Sequence, residues 1–215
     1  MFKGTTKRPD KLQIAKELGG IGADFNAFTG KEYTGYYARA SVSKLDILMD
    51  VVSDIFLNSR LDSEDIDMER GVIIEEINMY RDMPQRYVGD LFEQLLYGDQ
   101  PAGWGIAGEK DIIANLKRES FMNYFNSHYV SSNTVVVVAG SINPDSVKTK
   151  IEGYFRNIRR ADKVSKLAVI EQQSEPQALV HFKATDQSHF IVGWRAYDMH
   201  NEKKYALNVL ASILG

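Results

Sequence analysis

Glu69 and Glu76 stand seven residues apart in the run Glu69-Arg70-Gly71-Val72-Ile73-Ile74-Glu75-Glu76-Ile77. The spacing predicts a helix over 62–82, where seven residues make two turns and both carboxylates project to nearly the same side. At about 100° per residue, Ile66, Ile73 and Ile77 share one apolar stripe, with Ile74 at its edge. Glu69 and Glu76 flank that stripe with Tyr80 beside them, and Glu75 points the opposite way. Two carboxylates lying half over a core are costly unless they are paired, hydrogen-bonded or ligating a cation. One reading is a metal ligand with a helper carboxylate. The other is a border position with ion pairs to Arg70 or Arg81. Periodicity taken alone favours the border position.

No local pattern completes a site around these carboxylates. The four histidines are His128, His181, His189 and His200, and no two stand four residues apart. His128 ends a helical segment, where an imidazolium suits the dipole. His181 and His189 fall on neighbouring expected strands and read as ordinary strand residues. No Gly-x-Ser-x-Gly elbow is present. The glycine-rich stretch 98–108 is no phosphate loop, because no Gly-Lys-Ser/Thr follows a strand. It reads as a connection, or as a loop covering a substrate. The Tyr- and Thr-rich stretch from Asn26 to Tyr37 reads as a hairpin that can accept a peptide by strand addition if one edge is free.

The bulk numbers narrow the classes. The 215 residues suffice for one large domain, or one domain and part of another. Apolar residues make up 44%, enough for a sizeable core. The net charge of −3 gives no reason to expect a nucleic acid or a membrane as partner. Cysteine is absent, which excludes disulfides, thiolate metal sites and thiol nucleophiles. No stretch approaches the roughly 18 apolar residues of a membrane span, and the opening residues form no signal peptide. The expectation is a cytoplasmic protein.

The elements that must position these residues follow from period and punctuation. Helices are expected over 10–19, 44–58, 62–82, 85–97, 109–128, 143–155 and from 202 onward. Ser43 is the expected cap of the second and Asp62 of the third. A hairpin is expected from strands 23–29 and 32–40. Residues 133–141, with Val135-Val136-Val137-Val138, read as a strand buried on both faces. Two further strands are expected over 177–184 and 189–196. The expected class is therefore α/β (α+β): a mostly antiparallel sheet with helices packed on it. The expected domains are 1–158, a linker over 159–176, and 177–215 as the start of a second α/β domain.

Several segments together resemble a known family. They are Phe2-Lys3-Gly4-Thr5, Asn26-Ala27-Phe28-Thr29, Glu32-x-Thr34-x-Tyr36-Tyr37-Ala38, the Glu69–Ile77 run, Asp82-x-Pro84, Gly105-x-x-Gly108 and Asn133 through Ala139-Gly140. In this order they resemble the pitrilysin-like (M16) zinc peptidases, similar to bacterial homologues of the mitochondrial processing peptidase. That family uses an inverted His-x-x-Glu-His zinc motif with a third ligand from a downstream helix. The resemblance implies Glu76 as that third ligand and Glu69 as a supporting carboxylate. It implies that Asn26, Ala27 and Phe28 hold a peptide substrate.

The His-x-x-Glu-His segment is not among these residues. Relatives follow that motif almost at once with a Phe-Lys-Gly-Thr segment. The resemblance thus implies a truncated or partial zinc metalloendopeptidase, incomplete at both ends, inactive alone and not binding zinc stably. Its partners would be a peptide or unfolded protein segment, and a second copy or paired peptidase half. The alternative is a non-catalytic partner subunit that binds peptide or forms half of a chamber.

Overall fold

Asp10 starts the first helix by accepting the Leu12 N–H on its side chain at 2.9 Å. The computed structural model describes residues 3–214. Met1, Phe2 and Gly215 lie outside the described residues, and with them the first residue of the Phe-Lys-Gly-Thr segment and the last of the chain. The elements in order are α1 (Lys11–Gly20), β1 (Asp24–Thr29), β2 (Thr34–Arg39), α2 (Leu45–Asn58), α3 (Ser63–Asp82), α4 (Pro84–Tyr97), α5 (Lys110–Asn115), α6 (Arg118–His128), α7 (Pro144–Tyr154) and α8 (Lys204–Leu214). This is the mixed helix and antiparallel-sheet class expected, dominated by helices. The chain divides into two units, Met1–Ile77 with Ile106–Leu167, and Asn78–Gly105 with Ala168–Gly215.

In the first unit, Ile14 and Leu18 of α1 pack on Val51 and Ile55 of α2. Phe25, Tyr36 and Ala38 of the hairpin close over them. β1 and β2 pair antiparallel, with Phe25 opposite Ala38 and Ala27 opposite Tyr36 on the inner face. A second, aromatic layer lies beside this core. Tyr36 and Tyr129 share a hydrogen bond between hydroxyls at 2.9 Å, and Phe56 packs on both rings and on Phe155. Burial pushes both tyrosines above their ordinary range, so the pair stays protonated at neutral pH.

The segment before α1 is fastened into this core by polar groups. Arg8 is buried and donates to Asp54 at 2.8 Å, Asp50 at 2.5 Å and Glu17 at 2.8 Å. The buried Thr5 hydroxyl donates to Asp54 at 2.5 Å and accepts the Arg8 N–H at 2.8 Å. Thr5 also bridges Ser59, and Arg60 N–H donates to Gly4 O. Gly4 is required by close approach, because a Cβ there would stand 2.8 Å from the Pro9 carbonyl oxygen. Lys7 pairs with Asp50 at 2.6 Å.

Proline and asparagine set two helix starts as their types dictate. Pro84 opens α4 and Pro144 opens α7, where a missing N–H costs nothing. Asn143 caps α7 by accepting the Ser146 N–H at 3.0 Å. Ser43 does not cap α2. It lies inside a short 3-10 turn over Val42–Lys44, with its hydroxyl on Ser41, and Lys44 takes the cap position. Asp62 pairs its carboxylate with Arg60 at 2.5 Å.

The expected strands at 133–141, 177–184 and 189–196 are not strands among the described residues. Thr134 is extended, at φ −123° and ψ 135°, yet Val135 is 86% exposed and Val137 80%. An apolar run becomes a buried strand only when neighbours pair with both its edges. Among the described residues, the one ladder is β1–β2. Thr134 keeps an extended backbone without a partner, and Val135 and Val137 are not buried.

In the second unit, Gln100 fixes the glycine-rich loop. Its Oε1 accepts the Ile170 N–H at 2.8 Å and its amide donates to Ile170 O at 3.1 Å. Trp104 donates to Asp99 within the same loop at 2.8 Å. Lys183 donates to Arg81 O and to the Asp82 carboxylate, each at 2.8 Å, which caps the end of α3. His181 lies edge-on to Tyr87. Among the described residues no helix is long and apolar enough to cross a membrane.

Candidate functional site

α3 carries both carboxylates on one helix, with Ile77 buried and Ile66, Ile73 and Ile74 half-buried. Glu75 and Glu76 are exposed and Glu69 is half-buried. Seven helical residues place the Glu69 and Glu76 backbones roughly 10 Å apart along the axis. At that separation one of them can ligate a given ion directly while the other acts through an intervening group. Glu69 is ion-paired with Lys3, Nζ to Oε1 2.6 Å. Neither Arg70 nor Arg81 is the cation on Glu69. Arg70 pairs with Asp67 and turns its other donors to main-chain carbonyls. The Lys3–Glu69 pair brings the Lys3-Gly4-Thr5 segment against the carboxylate face of α3.

A catalytic zinc takes three protein ligands and keeps one position for water or substrate. Among the described residues no group of three His, Cys, Asp or Glu side chains is placed to hold a metal ion. The described residues therefore do not fit a zinc centre by themselves, and one carboxylate on α3 is a partial donor set. The histidines do not change this. His128 ends α6, stacks on Tyr124 at 3.9 Å and sets Nδ1 2.8 Å from the Ser127 hydroxyl.

The hairpin separates the three candidate peptide contacts. Asn26 and Phe28 lie on the outer face with Tyr37 and Gly35 opposite them, while Ala27 shares the inner face with Tyr36. Asn26 Oδ1 accepts the Ala27 N–H at 2.8 Å. The Phe28 ring lies across Gly35, where a Cβ would stand 2.1 Å from it. Tyr33 meets Phe28 edge-on at 5.9 Å and Tyr37 lies 6.5 Å away. Phe28 remains 48% exposed, so this aromatic face is open. The sequence singles out neither Lys3, Arg8 nor Arg118 as an anchor, and Arg70, expected on an α3 glutamate, instead meets Asp67 and main-chain carbonyls. For Lys3 a signal existed, its place beside Gly4 in a recognisable segment. For Arg8 and Arg118 none did.

Comparison with known proteins bears on the family and the fold. The family model described as insulinase, peptidase family M16, matches residues 1–110, and the one described as the peptidase M16 inactive domain matches residues 115–215. The chain is 33% identical to the zinc protease YmxG of Bacillus subtilis, over all of this chain and 51% of that protein. It is 36% identical to the mitochondrial-processing peptidase subunit beta of Caenorhabditis elegans, over 75% of this chain and 35% of that one. The chain spans about half the length or less of these relatives. A solved protease structure from Helicobacter pylori superposes with a TM-score of 0.72 at 22% identity, covering 80% of this chain and 41% of that one. A peptidase M16 inactive domain from Pseudomonas fluorescens superposes with a TM-score of 0.71 at 17% identity, over 82% and 42%. The two family models lie end to end along nearly all of the sequence, and the chain belongs to peptidase family M16.

Proposed function

We propose that this chain is part of a zinc metalloendopeptidase that acts on peptides, and that it contributes Glu76 as the third zinc ligand. Glu69 is the carboxylate that supports it. Two histidines and a general-base glutamate come from a His-x-x-Glu-His helix outside these residues. Asn26, Ala27 and Phe28 receive the substrate strand. The observation that supports this reading is the Lys3–Glu69 ion pair, which holds the Lys3-Gly4-Thr5 segment beside the helix that carries Glu69 and Glu76. Zinc held there would supply Lewis-acid activation of a water, with Glu76 among the side chains that would hold it. This chain's own part is to offer a ligand and to hold a peptide.

The purified 215-residue chain is expected to show no chelator-sensitive cleavage of an unstructured peptide. Robust cleavage abolished by a chelator would overturn the proposal. The rival role, a non-catalytic peptide-binding subunit, is favoured by the open aromatic face at Phe28, Tyr33 and Tyr37. Genomic sequence upstream of Met1 separates the two: an in-frame His-x-x-Glu-His supports the enzyme, a stop codon the subunit.

Pairing with a second copy or a peptidase half is part of the same proposal. Val135, Val137, Val180 and Phe182 are exposed on segments that form no ladder among the described residues. The expected result in light scattering is a mass above the monomer that grows with concentration, and a monodisperse monomer would count against it. A cytoplasmic setting also belongs to this proposal. The cysteine-free composition is compatible with it, and cell fractionation tests it.

A further inference from the structure

Apolar burial anchors α3 only lightly near its carboxylates. Ile77 is its one buried side chain among the described residues. Main-chain carbonyls provide a second kind of anchorage. Arg70, the residue after Glu69, donates from Nη1 to Ile113 O at 2.5 Å and Ala114 O at 3.0 Å. Its Nη2 donates to Leu116 O and to the Asp67 carboxylate, each at 2.9 Å. One guanidinium thus satisfies three carbonyls at the end of α5, where a helix leaves its last acceptors open.

Arg118, the first residue of α6, reaches in the opposite direction. Its Nε donates to Leu61 O at 2.8 Å and its Nη2 to Arg60 O at 3.2 Å. Leu61 has a φ of 49°, the left-handed region that a leucine rarely adopts. A backbone held there persists only when its surroundings over-determine it. The connector leading into α3 and the connector between α5 and α6 are therefore clasped by two arginines pointing opposite ways.

We propose that Arg70 and Arg118 are positioning residues: their clasp sets the rotation and register of α3, and so where Glu69 and Glu76 present their carboxylates. The zinc-related meaning of this rests on the ligand role proposed above; the placement of α3 does not. Arginine is needed because its planar fork reaches several divergent carbonyls at once, and a lysine ammonium offers one compact charge.

The absence of cysteine makes the test direct. Spin labels on Glu75→Cys of α3 and Lys148→Cys of α7, both exposed positions, report the distance between those helices by pulsed electron paramagnetic resonance. The parent is expected to give one narrow distribution. Arg70→Met and Arg118→Met are expected to shift or broaden it at temperatures where circular dichroism shows a fully folded chain, and Arg70→Lys and Arg118→Lys not to restore it. Should either methionine variant fail to fold, the lysine variant carries the comparison.

Leu61→Gly in the Arg118→Met background is expected to narrow the distribution relative to Arg118→Met alone, since glycine adopts that φ without strain. Ile55→Val, a change in the core away from the clasp, is expected to lower stability and leave the distribution alone. An unchanged distribution in the Arg70 and Arg118 variants overturns the clasp, whatever the zinc content. A shifted distribution, together with zinc content indifferent to Glu76→Gln in an extended protein that carries a His-x-x-Glu-His helix, upholds the clasp and overturns the ligand role.

Discussion

Replacing Arg8 by methionine is expected to destabilise the fold by about 3–5 kcal/mol, the range for breaking a buried ion pair from one side. The Arg8 side chain is 3% exposed and that of Asp54 5%, so removing the guanidinium strands a carboxylate away from water. Asp50 and Glu17 lose a partner as well, although both are better solvated. The Thr5 hydroxyl stays on Asp54 and softens the loss without supplying charge. Urea unfolding followed by circular dichroism measures the effect. A loss below about 1 kcal/mol, the range of surface ion pairs, would show that the cluster is not a buried anchor. Adding Asp54→Leu to Arg8→Met is expected to recover part of the stability, because the stranded charge leaves with its partner.

The same cluster fixes an acid limit. Burial acts to raise the Asp50 carboxyl, but hydrogen bonds from Lys7 and Arg8 and their charges outweigh it and hold it below the ordinary range. Its contribution is present above about pH 4, the ordinary aspartate value, and is lost as pH falls through its lower folded-state value. Stability is therefore expected to drop on acidification below about pH 4. The drop should be shallower in Arg8→Met, where Asp50 keeps only Lys7. Equal acid slopes in the two proteins would separate Asp50 from this effect.

The second large effect concerns metal. In an extended protein that joins this chain to a His-x-x-Glu-His helix, Glu76→Gln is expected to abolish retained zinc after dialysis. An amide oxygen is a neutral donor, and the loss of one ligand from three leaves too few. Glu69→Gln is expected to weaken zinc roughly 10–100-fold, the usual consequence of altering a group that supports a ligand. Zinc content by elemental analysis reads both. Equal zinc in parent and Glu76→Gln would remove Glu76 from the ligand set, and equal affinity in Glu69→Gln would reduce Glu69 to its ion pair with Lys3.

Local periods proved reliable where an element stabilises itself or packs on near neighbours. The α2 stripe of Val51 and Ile55, the starts of α1 and α7 and the Asp24–Thr29 hairpin strand all depend on residues close in sequence. The apolar run at 133–141 depends on partners elsewhere, and Val135, Val136 and Val137 stay exposed without them. Ser43 failed as a cap for a smaller reason, since a 3-10 turn moves the helix start past it.

The sequence by itself determined that Glu69 and Glu76 share one side of a helix, because α-helical period is a property of the backbone. It also determined the family, through short segments whose order is specific. Tertiary structure alone decided which cation meets Glu69, for Lys3 and Glu69 are distant in the chain and only the fastened Gly4–Arg8 segment brings them together. It alone decided that Arg70 serves carbonyls of the α5–α6 connector while Arg118 serves the strained Leu61. Charge and spacing say that an arginine has donors to offer. Which acceptors come within reach is settled by packing.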